Sequence, residues 1–157
     1  MMNEHAKKVD DWNFFSPSAP ASVTANKRYI RAKAFLEQKG FVIMEGKLTN
    51  KSDCYRSAPP KERAEEFNEL IRNPDIHMVM SMIGGTNSNS MLPYIDYKAF
   101  KENPKPVVGY SDTTALLLAL YAKTGISTFY GPALVPSFGE FEPLVNDTYT
   151  YFYEYFF

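Results

Sequence analysis

The chain has 157 residues, of which 45% are hydrophobic and 22% charged, with a formal charge of −1. That length suits one domain with a sizeable core, and the near-neutral charge leaves no electrostatic footprint for nucleic acid or an anionic membrane. The single cysteine, Cys54, excludes an internal disulfide and fits a reducing compartment.

Residues 1–10 are polar and read as a flexible tail, without the apolar stretch of a secretion signal. The longest apolar run, Ala115 to Ala122, is too short to span a bilayer, so a cytoplasmic protein is the expectation. "WNFF" (12–15) reads as a strand that the prolines of "SPSAP" bring to an end. Residues 22–39 read as a helix with Tyr29, Ala32, Phe35 and Leu36 on one face and Gly40 as its stop. "FVIME" (41–45) is a second strand, followed by a polar, turn-rich loop.

Residues 59–73 form the next helix, opened by prolines and carrying Glu62, Glu65 and Glu66 near its positive end. Ala64, Phe67, Leu70 and Ile71 make its buried stripe. "IHMVMSMI" (76–83) is a strand apolar enough to be covered on both faces. "DYKAFKEN" suggests a short helix, "PVVGY" a fourth strand, and 112–123 a helix so apolar all round that it should be buried. "STFYG" (127–131) is a fifth strand. Strict alternation of strand and helix implies an α/β fold, a parallel sheet with helices on both faces. Ligand sites in such sheets lie at the carboxyl ends of the strands. Four loops meet that description: Ser16–Pro20, Gly46 onward, Gly84–Ser90 and Tyr110–Thr113.

Ser111 directly follows a strand and directly precedes a helix, which admits two readings. As a nucleophile, its hydroxyl stands exposed at the sheet edge beside the first helical amides, whose positive end suits a developing oxyanion. As a capping residue, it merely opens the helix, with Asp112 as a first-turn acid whose side chain turns into that turn. The run G-Y-S-D-T matches the first half of G-x-S-x-G, with Thr113 where the last glycine would stand.

"GGTNSNS" (84–90) has two glycines that let backbone approach a ligand, although its composition is also that of an ordinary turn. Neither a phosphate-loop nor a dinucleotide glycine pattern is present. No spacing suggests a metal site, and no cofactor is expected. A base for Ser111 is missing: His5 lies in the tail, and His77 enters its strand at the amino end, away from Ser111.

With these loops in hand, the chain resembles the LD-carboxypeptidase serine peptidase family, most closely its microcin C immunity branch, the MccF proteins. The resemblance rests on "FSPSAP" (15–20), "MIGGTNSNSMLPYIDY" (82–97), "NPKPVVGYSDTTALLLALYAKTG" (103–125) and "TFYGPALVPSFGEFEP" (128–143). Cell-wall members of the family typically carry an arginine before Gly-Gly and "GYG"-like residues after it. Here Ile83 precedes and "TNSN" follows, as in the immunity branch. One departure is "DDWNFF", which stands where the family has a more aliphatic first strand.

The resemblance implies a flavodoxin/Rossmann-like domain and a Ser–Glu–His triad with Ser111 as nucleophile. It further implies an oxyanion hole from the backbone amides of Gly85 and Asp112, with Gly84 and Asn87 as substrate-binding residues. The triad glutamate and histidine of the family belong to a C-terminal domain, so residues 11–157 correspond to the N-terminal, nucleophile-bearing domain, with the C-terminal domain absent from this chain. The substrate implied is a peptidyl-nucleotide cleaved after a C-terminal aspartyl residue, or else the murein tetrapeptide; the oligomer implied is a homodimer. An inactive truncated fragment is the reading from a different class. The aromatic end "TYTYFYEYFF" is expected to be a helix awaiting a partner surface.

Overall fold

A computed structural model describes residues 12–15, 23–49, 51 and 56–157, with only the backbone at 12–15 and 23–25. The tail with His5, the loop Ser16–Pro20 and Cys54 lie outside the described residues. Five parallel strands form one sheet: β1 (Trp12–Phe15), β2 (Ile43–Glu45), β3 (Met78–Ser81), β4 (Val107–Gly109) and β5 (Phe129–Tyr130). Their order is β2-β1-β3-β4-β5, so the chain reverses its direction of growth at the β1/β3 boundary. Crevices at such a reversal, beyond the carboxyl ends of the strands, are where open α/β sheets bind ligands.

Helices α1 (Val23–Gln38), α2 (Pro60–Arg72), α3 (Tyr97–Glu102), α4 (Thr114–Thr124) and α5 (Leu144–Phe156) cover the two faces. Alternation along β3 sorts the core. Met78, Met80 and Met82 face Tyr29, Ala32 and Leu36 of α1, Phe138, and Val145 and Phe152 of α5. Val79 faces Ala64, Phe67, Leu70 and Ile71 of α2, Phe100 of α3, and Leu116, Leu117 and Leu120 of α4. All four residues of β3 are buried, as expected for a strand covered on both sides. Gly40 takes φ +94° just after α1, the left-handed stop that a glycine supplies.

Two expectations need correction. The helix at 112–123 is not buried all round: α4 starts at Thr114 after a 3₁₀ turn, and Leu118 and Tyr121 are 63% and 56% exposed. Its apolar character exceeds what one sheet face can cover. The aromatic end does form a helix, but α5 divides its faces. Phe152 is buried on Phe138 with ring centroids 5.5 Å apart, whereas Tyr151 and Tyr155 stand exposed. Beyond the glycines, Ser88–Tyr94 is a 3₁₀ turn that buries Met91.

Candidate active site

The residues Ser111–Thr113 make the turn between β4 and α4. Ser111 is exposed and holds φ +58°, the sole non-glycine residue at positive φ among those described. A non-glycine residue held there costs about 1–3 kcal/mol and persists only where its surroundings enforce it. Tyr110 before it is extended, at φ −149°. This strand–turn–helix elbow lifts the hydroxyl clear of the sheet edge. The cap positions fall on Tyr110 and Thr113, and neither side chain makes a capping hydrogen bond. The helix-cap reading of Ser111 therefore does not describe the structure.

Glycines let the elbow form. A Cβ on Gly84 would lie 2.8 Å from Ser111 Cβ, 2.9 Å from Ser111 Oγ and 3.6 Å from the Asp112 nitrogen. The backbone after β3 thus lies against the serine side chain more closely than a Cβ allows, and in ordinary contact with the first amide beyond it. Gly85 follows at φ +149°, again a conformation that glycine favours. On the sheet side, a Cβ on Gly109 would lie 2.5 Å from Ser81 Oγ and 2.9 Å from Thr113 Cγ2. Thr113 fits in place of the second glycine of G-x-S-x-G because Gly109 leaves room for its methyl.

Asp112 is an acid of the first turn, as expected, but its carboxylate reaches across to the glycine loop instead of turning into that turn. Its Oδ2 accepts hydrogen bonds from Asn87 N at 2.9 Å, Ser88 N at 2.8 Å and Ser88 Oγ at 2.7 Å. Behind that loop, the guanidinium of the fully buried Arg63 on α2 donates from Nη1 to Asn87 Oδ1 at 2.6 Å. Asn87 is therefore gripped from two sides. Neither Arg63 nor the reach of Asp112 has a local signal: Arg63 is one charge among several at the start of α2, and the contacts bridge 24 and 25 positions.

His77 is exposed at the amino end of β3, on the opposite edge from Ser111. Among the described residues, no cluster of histidine, cysteine, aspartate or glutamate could hold a metal ion, and no helix is long and apolar enough to cross a membrane. Beside the elbow, the Tyr110 ring meets Tyr130 edge-on at 6.4 Å. From Tyr130 an aromatic groove of about 470 Å³ opens between β5 and α5, lined in part by Tyr151, Phe152 and Tyr155. Chemically, the arrangement offers an exposed hydroxyl on a strained turn, with close-packed backbone beside it.

Comparisons with known proteins show the family and the fold. Residues 13–131 match the LD-carboxypeptidase N-terminal domain. The microcin C7 self-immunity protein MccF of Escherichia coli is 62% identical over 91% of this chain, which spans 42% of that protein's length. A solved structure of MccF in complex with aspartyl sulfamoyl adenosine superposes with a TM-score of 0.91 at 60% identity, covering 94% of this chain and 44% of that one. The murein tetrapeptide carboxypeptidase of Pseudomonas aeruginosa is 28% identical over 73% of this chain and 37% of its own length.

Proposed function

Because the chain belongs to the LD-carboxypeptidase family, we propose that residues 11–157 are the nucleophile-bearing half of a serine carboxypeptidase-like amidohydrolase. The observation that carries this reading is Ser111 itself, exposed at φ +58° with Gly84 against its hydroxyl. Ser111 Oγ attacks the scissile carbonyl carbon, and the amides of Gly85 and Asp112 stabilise the oxyanion. Gly84, without a side chain, lets the substrate-binding loop come up against the nucleophile. With its carbonyl oxygen taken by Arg63, Asn87 offers its side-chain amide nitrogen to the substrate.

The proton-transfer groups, a glutamate and a histidine, come from the family's C-terminal domain. The assembled enzyme acts in the cytoplasm as a homodimer. Its substrate is an aspartyl residue joined through its carboxyl group to a nucleotide, as in microcin C, and cleavage confers immunity to that antibiotic. The greater identity to the immunity protein than to the murein enzyme favours this substrate over murein tetrapeptide.

An isolated serine hydroxyl is a weak nucleophile without a base in hydrogen-bond reach. Oxyanion stabilisation alone leaves about 10³–10⁴-fold catalysis over water, against ~10⁶ or more in a working enzyme. Among the described residues the one histidine, His77, lies on the opposite edge from Ser111, and a chimera supplies the proton-transfer groups. Residues 1–157 replace the matching part of the E. coli relative, and hydrolysis of an aspartyl-nucleotide conjugate and of murein tetrapeptide is compared. The chimera should cleave the conjugate, and Ser111→Ala should abolish it. A folded but inert chimera, or activity surviving Ser111→Ala, overturns the reading.

A further inference from the structure

We propose that Asp112 is a positioning residue, whose carboxylate locks the glycine loop against the nucleophile turn and so sets where the Gly85 amide stands. The inference rests on Ser111 being the nucleophile. Three donors converge on the single oxygen Asp112 Oδ2, two of them the successive backbone amides of Asn87 and Ser88. Adjacent amides held by one carboxylate oxygen fix the path of the backbone between them, and hydrogen bonds to a charged acceptor are the stronger kind. Asn87 and Gly85 are separated by one residue, so a loop pinned at Asn87 has little freedom at Gly85.

The polarity of the network is consistent along its length. Arg63 donates to Asn87 Oδ1, and Asn87 donates through its backbone nitrogen to Asp112. Arg63 thus holds Asn87 by its side chain and Asp112 holds it by its backbone. Arg63 is fully enclosed, so its charge calls for compensation within the protein. All three donors bind Oδ2, so the carboxylate is held toward the glycine loop. Asp112 thus contributes twice: its amide faces the reacting group, and its side chain holds the loop that brings the second amide.

The test uses the 157-residue chain and two measurements on wild type, Asp112→Asn, Asp112→Ala and Ser88→Ala. Amide hydrogen exchange by NMR reports the loop without reference to catalysis. Exchange at Asn87 and Ser88 should accelerate at least tenfold in Asp112→Ala and less in Asp112→Asn, with Val79 and Met80 in β3 unchanged. The rate of phosphonylation at Ser111 by a fluorophosphonate, read by intact-mass spectrometry, should fall at least tenfold in Asp112→Ala, with Asp112→Asn in between and melting temperature little altered in Asp112→Asn. Loop exchange equal to wild type in Asp112→Ala overturns the inference. So does phosphonylation at the wild-type rate in Asp112→Ala. Failure of wild type to label at Ser111 while the exchange effect appears overturns the nucleophile reading and with it the positioning role, leaving Asp112 a loop anchor alone. If Asp112→Ala does not fold, Asp112→Asn and Ser88→Ala decide on the same readouts.

Discussion

The two faces of the sheet are held by different physics. On the side of α1 and α5 the core is apolar and aromatic, with Phe138, Phe152 and the methionines of β3. On the side of α2, α3 and α4 the same sheet also buries polar groups: Arg63, Glu66 and Asn68 of α2, Ser88 in the turn after β3, and Thr113 under α4. Apolar packing is non-directional and tolerates relaxation, whereas hydrogen bonds fix atoms. The face that must hold two loops in register at the elbow is the one built with directional contacts. Asn68 extends the pattern, donating to Tyr94 O and accepting from Asp96 N, which anchors the chain on either side of Ile95, just before α3.

Breaking the aromatic face should cost the most stability. Phe138→Ala empties a fully buried site beside Phe152 and should lower unfolding free energy by about 3–5 kcal/mol. Denaturant titration checks the value, and exchange at Asn87 and Ser88 below global unfolding should stay as in wild type. Arg63→Ala attacks the other face and should cost about 3 kcal/mol through an orphaned Asn87 oxygen and lost packing. Here the 84–88 loop should loosen first. A uniform loss in both variants would erase the contrast between the faces.

A pH titration sharpens the comparison on the polar face. Burial is the main influence on Glu66 and raises its carboxyl above the ordinary 4.5, against the Leu48 amide that donates to Oε1 at 2.7 Å. Glu69 reinforces the rise, and Lys47 and Lys51 oppose it. The folded state therefore holds this proton more tightly than the unfolded chain. Its contribution favours folding below about pH 4.5 and is lost as pH rises through the raised value. Glu66→Gln should flatten that decline and leave the variant at least as stable as wild type at neutral pH, as measured by thermal unfolding across pH.

The smallest effect lies at the surface. Arg72 meets Asp96 Oδ2 at 2.6 Å, with the two side chains 46% and 33% exposed. Arg72→Ala should cost about 0.5 kcal/mol at low salt and less at high salt. The α3 cap should survive, because Asp96 Oδ1 still accepts from Ala99 N.

The same division decides what the sequence made legible. Periodicity of apolar residues recovered the five strands, the stripe of α2 and the inner face of α1, because burial of a helix face or a strand is written locally. The elbow was legible too, since a serine between a β-branched run and a long helix has few places to stand. The polar wiring was not. Arg63 shares the helix face of Phe67 and Leu70, but an apolar count passes over a charged residue, and the partner of Asp112 is 24 or 25 residues away. Only folding brings them together. The exposed Leu118 and Tyr121 escaped for the converse reason, since composition says how apolar a helix is and not how much cover is available.

On the proposed function, the backbone around Ser111 poises it as a nucleophile before any base is supplied. The direct measurement is peptide mapping of the 157-residue chain after incubation with a fluorophosphonate at alkaline pH. The account predicts slow modification concentrated on Ser111, abolished by Ser111→Ala and suppressed by Gly84→Ala, whose methyl would displace the hydroxyl. Modification spread evenly over the serines, or an unmodified Ser111 beside a labelled surface serine, would contradict it.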